Sequence, residues 1–156
     1  MKEKPSGLKV VAHRRDHKLV KGYTDALAVE GLDSLLKTEP VALPRVIQVR
    51  ETGTKKTVSM SLASLKALFF VRTFHGNSTY QEIKFFDAHP AIEGLWVRIT
   101  FYDDERSEGV VRNSLDLLTN PGFFLKPPDP DSNNEIVYVL KSALIEFQVL
   151  GVRARY

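Results

Sequence analysis

The sequence predicts a mainly β protein made of two small antiparallel β-barrels or curled sheets related by internal duplication. Three observations carry this. Leu95-Trp96-Val97-Arg98-Ile99-Thr100-Phe101 alternates, with Val97, Ile99 and Phe101 on one face and Arg98 and Thr100 on the other, which is the two-residue period of a half-buried strand. Turn residues divide Gly94–Leu150 into five short apolar runs. A fainter copy of the same pattern lies near the N-terminus. Leu8–Asp16 leads to Lys21-Gly22-Tyr23-Thr24, as Leu95–Asp103 leads to Glu108-Gly109-Val110-Val111, each with a Gly six residues after the Asp. At the far ends, Ser64–Val71 lines up with Ser142–Val149.

In chain order, a first half is expected over residues 7–72, a linker over 73–93, a second half over 94–150 and a tail over 151–156. Asp16-His17 and Asp103-Asp104 fall where hairpin turns belong, because Asp tolerates left-handed backbone. Gly22 and Gly109 lie inside the returning strands, where an interior Gly marks a bend or bulge. Asp25–Lys37 reads either as an irregular strand or as a short helix with Leu32, Leu35 and Leu36 on its apolar face. Val46–Arg50 and Lys56–Met60 form a hairpin across Glu51–Thr54. His75–Ser78 is a loop, Tyr80–Phe86 a strand candidate and Asp87–Pro90 a break.

The bulk numbers exclude more than they identify. A chain of 156 residues, 43% hydrophobic and 26% charged, has the composition of a folded globular protein. With no cysteine, disulfides, thiolate catalysis and cysteine-held zinc are excluded. No apolar run approaches the ~20 residues that span a bilayer, and Met1–Gly7 has no signal-peptide character. A cytoplasmic protein without membrane contact is expected. Residues 1–93 carry 15 Lys/Arg against 10 Asp/Glu, whereas 94–156 carry 7 against 9. The basic half could attract phosphate-bearing partners, but solvated surface is the better reading of a charge of this size.

The chemical constellations are weak. Asp129-Pro130-Asp131-Ser132-Asn133 spaces oxygen ligands as a calcium loop does, but Asn134 replaces the turn glycine and Leu140 the bidentate Glu. His13, His17, His75 and His89 lack metal-ligand spacing. Asp103-Asp104-Glu105 with Glu108 reads as a solvated corner rather than a catalytic pair. No enzyme activity, cofactor or metal is expected. Arg14, Arg15, Lys18 and Lys21 with Tyr23 are the candidate nucleic-acid residues, for basic patches beside a stacking aromatic bind single strands. Phe123, Phe124, Asp129, Asp131, Asn133 and Asn134 are the candidate protein-interaction residues, on a loop stiffened by prolines.

The Asp-x5-Gly pattern after an alternating strand resembles the first motif of Sm-like small β-barrels, with Asn120 near that motif's asparagine. His17 and Asp104 stand where that motif has a glycine, and the Arg-Gly pair of the second motif is absent. Lys21–Thr24, Leu65–Arg72 and Gly122–Asn134 are similar to an uncharacterised bacterial family of two such halves, found alone or appended to PilZ or response-regulator modules. That resemblance implies a bacterial, intracellular regulatory or adaptor protein acting through protein partners, and no chemistry. A cyclic di-GMP site of the PilZ kind is not expected, since its Arg-x-x-x-Arg and Asp/Asn-x-Ser-x-x-Gly motifs are missing. A single-stranded nucleic-acid binder is the alternative.

Overall fold

The computed structural model describes residues 7–27, 43–75 and 82–154. The expectations for Asp25–Lys37 beyond Leu27 and for residues 76–81 lie outside the described residues. Ten strands form one antiparallel sheet: β1 (Leu8–Arg14), β2 (Leu19–Thr24), β3 (Val46–Glu51), β4 (Thr57–Ser61), β5 (Leu65–Val71), β6 (Gly94–Phe101), β7 (Arg106–Val111), β8 (Gly122–Lys126), β9 (Asn134–Leu140) and β10 (Leu144–Arg153). A single helical turn, α1 (Asp116–Thr119), interrupts the path from β7 to β8; no periodicity in the sequence announced it. The spatial order is β10-β6-β7-β8-β9-β5-β1-β2-β3-β4.

Each half therefore has the same order, with its fifth strand beside its first and the fourth at the far end. Both hairpin turns are built alike. His17 and Asp104 take left-handed backbone (φ 69° and 66°). Asp16 Oδ1 accepts from the Lys18 amide at 3.1 Å, as Asp103 Oδ1 accepts from the Glu105 amide at 3.3 Å. The aspartates thus fix the turn through their own side chains. A 3-10 turn precedes the fifth strand in both halves, Leu62–Ser64 and Lys141–Ala143. The Arg15 amide donates to Ser64 O and the Tyr102 amide to Ala143 O, so Ser64 corresponds to Ala143 rather than to Ser142.

Two separate barrels are not what forms: the sheet is open. Closing each half on itself would need β4–β5 and β9–β10 pairs; instead β5 pairs with β9, Leu68 opposite Tyr138 and Ala67 opposite Val139. The reason lies in which faces are apolar. Residues opposite one another in a ladder share a face. Val10 and Ala12 share theirs with Phe70 and Leu68, facing the first half's core. Val97, Ile99 and Phe101 line the second half's core with Val111 and, through β8, with Val137 and Val139. At the junction Leu68 and Phe70 meet Tyr138 and Ile136, while Ala67 and Phe69 meet Val139 and Val137. Each strand offers one apolar face to its own half and the other to its neighbour. Leu65 and Ala67–Leu68, and Ile136–Leu140, are accordingly buried without alternation, and one contiguous core results.

Gly22 and Gly109 do not mark bulges; both lie in uninterrupted registers. They let the next strand come close. A Cβ on Gly22 would stand 2.2 Å from Arg50 O, and one on Gly109 2.3 Å from the Leu125 side chain. The final strand also runs on to Arg153, so part of the expected tail is sheet.

Candidate interaction surface

The loop between β8 and β9 was the first candidate, and its groups turn inward. Phe123 and Phe124 are buried in the core, and Phe124 packs on Tyr138 with ring centroids 4.9 Å apart. Asp129 is buried; its Oδ2 accepts from the Ile83 amide at 3.0 Å and its Oδ1 from the Asp131 amide at 2.9 Å. Ser132 Oγ donates to Glu82 at 2.5 Å and accepts from the Asn134 amide at 3.0 Å. Asn133 holds Thr73 from both sides, accepting from its amide at 3.0 Å and donating to its carbonyl at 2.9 Å. The Arg72 guanidinium donates to Ser132 O and Pro130 O. The loop thus ties down both Arg72-Thr73 and Glu82-Ile83, the two ends of the described chain between the halves. Asp131 is the exposed member of the set.

Segment 82–93 continues across the outer face of the second half. Glu108 is 2% exposed there, and Sequence spacing gave no hint of its role. Its Oε1 accepts from Trp96 Nε1 at 3.0 Å and the Phe86 amide at 3.4 Å, and its Oε2 from Arg98 Nη2 at 3.2 Å. The Glu108 amide also donates to Lys84 O at 3.3 Å. Phe86 and His89 each pack edge-on against Trp96. A buried carboxylate with these donors is satisfied and structural in kind.

The acidic corner is a clamp between halves. Lys66 of β5 has a side chain only 6% exposed, and its Nζ lies 2.8 Å from Asp103 Oδ2, bonds Glu105 as well and sits 4.6 Å from the Phe101 ring centroid. Hydrogen bonding from Lys66 holds the Asp103 carboxyl below its ordinary range. Burial pulls the Lys66 ammonium down, but the hydrogen bonds and charges of Asp103 and Glu105 outweigh it, leaving its pKa raised. Burial, and then the Lys66 charge, lowers the pKa of neighbouring His13.

The candidate nucleic-acid residues separate into two groups. Arg14, Arg15 and Lys18 lie at the β1–β2 tip, where Arg15 donates to Ser142 O at 3.2 Å and stacks 5.5 Å from the Tyr102 ring centroid. Lys21 and Tyr23 lie further along, with Lys9 opposite Tyr23. Lys21 donates to Phe74 O, and Tyr23 packs edge-on against Phe74 at 5.4 Å. Among the described residues no three His, Cys, Asp or Glu side chains come together to hold a metal, and no helix is long and apolar enough to cross a membrane.

The surface that the sequence reading missed is the β10 edge. β10 pairs with β6 on one side, and among the described residues no strand pairs with its other side. Phe147 and Val149 stand opposite Ile99 and Val97, and Val152 opposite Leu95, so they face the second half's core side. They are nevertheless 36%, 53% and 54% exposed, and Ile145 beside them is 62% exposed. The run was legible as a strand; that no strand among the described residues covers its outer side was not. The opposite edge differs. β4 shows Thr57, Ser59 and Ser61 with Lys55 and Lys56 before it, while Met60 and Ile47 behind them are fully covered.

Comparison with known proteins finds no curated protein and no solved structure that matches. A family model matches residues 6–151, nearly the whole chain. The chain thus belongs to a family of unknown function, DUF6982.

Proposed function

We propose that the protein is a non-enzymatic regulatory or adaptor module that acts through protein–protein contact, and that the β10 edge is where it makes it. The observation that carries this is the apolar row of Ile145, Phe147, Val149 and Val152 on a strand with no strand paired to its outer side among the described residues. Exposed apolar edges invite strand addition, and folded proteins normally blunt them with charge, as β4 is blunted here. The loop from Phe123 to Val139 serves instead to fasten the segment between the halves. The matching strand orders, hairpins and 3-10 turns support descent of the halves from one duplicated Sm-like unit. A bacterial cytoplasm is the setting that the resemblance favours.

The test is chemical crosslinking in the native cell with wild type, Val149→Lys and Asn133→Ala/Asn134→Ala. Loss of crosslinked species in Val149→Lys alone supports the edge; loss in the Asn variant alone would move the contact to the loop. Salt-sensitive micromolar binding of single-stranded RNA, abolished by Arg14→Ala/Arg15→Ala, would replace this reading with nucleic-acid recognition.

A further inference from the structure

Resting on that reading, we infer that the occupant of the β10 edge is a second copy of this chain, paired antiparallel through β10 itself in a two-fold dimer. The chain shows internally what covering a fifth strand entails. β5 is flanked by β9, which sets Tyr138 and Ile136 beside Leu68 and Phe70. The counterparts of Leu68 and Phe70 in the second half are Phe147 and Val149; Phe147 packs edge-on against Phe123 at 5.5 Å, but among the described residues no strand flanks the two on their outer side.

Two edges of a second copy are on offer. Placing its β4 there, as β9 sits on β5, would set Ser59 and Thr57 against Phe147 and Val149, and Met60 against Glu146. That arrangement matches polar with apolar, and it repeats without closing unless the rotation happens to return on itself. β10 against β10 matches like with like. With Gln148 on the two-fold axis, Phe147 meets the partner copy's Val149 twice, and Glu146 meets Leu150, so no like charges oppose. The four exposed apolar side chains present roughly 400 Å² per copy, and two copies with their strand backbones reach about the 1,000 Å² expected of a specific contact. A 10-residue strand supplies that length, whereas β4 has 5 residues.

The test uses purified protein. Light scattering coupled to size-exclusion chromatography, at rising concentration, is expected to show mass doubling from 17.6 kDa and stopping there. Val149→Lys should return the monomer mass with unchanged circular dichroism, and Ser59→Lys on β4 should leave the dimer intact. Because the chain has no cysteine, Gln148→Cys alone places one thiol per copy at the axis, within disulfide reach of its mate. It should crosslink under mild oxidation, while Ser59→Cys should not. A monomer at all concentrations, growth beyond the dimer, or a dimer lost in Ser59→Lys and kept in Val149→Lys would overturn the inference. If the pure protein is monomeric while Val149→Lys still loses its crosslinked species in the cell, self-pairing falls and the edge-binding function stands.

Discussion

Removing the two anions of the Lys66 clamp should destabilise the protein more than removing the cation. In Lys66→Met the methionine keeps most of the stem's packing near Phe101, and Asp103 and Glu105 are left without their ammonium. Their side chains are 25% and 51% exposed, so water replaces the lost partner. Discounted for that solvent access, two lost charge-assisted hydrogen bonds cost about 1–2 kcal/mol. In Asp103→Asn/Glu105→Gln the ammonium stays 6% exposed with no counter-charge. An uncompensated buried charge costs about 3–4 kcal/mol. Urea unfolding followed by Trp96 fluorescence and far-ultraviolet circular dichroism measures both. If Lys66→Met proves as costly as the double variant, the clamp is packing rather than charge. The pH profile supplies a second readout. The Asp103 pKa is depressed in the fold, so its contribution is full above the ordinary 3.8 and is lost as pH falls below it through the folded value. The Lys66 pKa is raised, so its contribution is full below the ordinary 10.5 and is lost as pH rises through the folded value. Lys66→Met should flatten both limbs.

Other substitutions probe the remaining features. Gly22→Ala and Gly109→Ala force a methyl into the adjoining strand and should each cost about 2–4 kcal/mol, read as a fall in urea midpoint. Glu108→Gln keeps the shape but weakens the charge-assisted bonds from Arg98 and Trp96. About 2 kcal/mol should be lost, with a red-shifted Trp96 emission as segment 82–93 loosens. His13, whose pKa is lowered by burial and then by Lys66, binds its proton more readily unfolded. Stability should therefore fall as pH drops below the ordinary 6.5 toward the folded value, and His13→Gln should remove that slope.

The strands were legible because alternation and turn residues report local backbone. The five runs from Leu95 to Leu150 became β6 to β10 with little change. Partner choice was not legible, since Leu65–Val71 and Ile136–Leu140 are apolar on both faces and a continuous run does not name what covers it. The roles of polar residues were legible least. Glu108 looked like one carboxylate in an exposed corner, and only the return of segment 82–93 gives it donors. Asn133 was singled out for an interaction with a partner, whereas its side chain bonds Thr73 of the same chain, 60 residues away.

The shared β5–β9 wall bears on how this chain folds. Neither half contains all the surfaces of its own interior, so a fragment ending before β6 would expose Leu68 and Phe70, and one beginning at β6 would expose Val137 and Val139. The unit of cooperative folding is accordingly the whole sheet rather than either half. Its decisive contact joins strands far apart in sequence, for Leu68 must find Tyr138. Contacts of such long range are slow to form. Until that one is made, both strands present bare edges with apolar faces. The nascent chain is most exposed to mispairing between the emergence of β5 and that of β9.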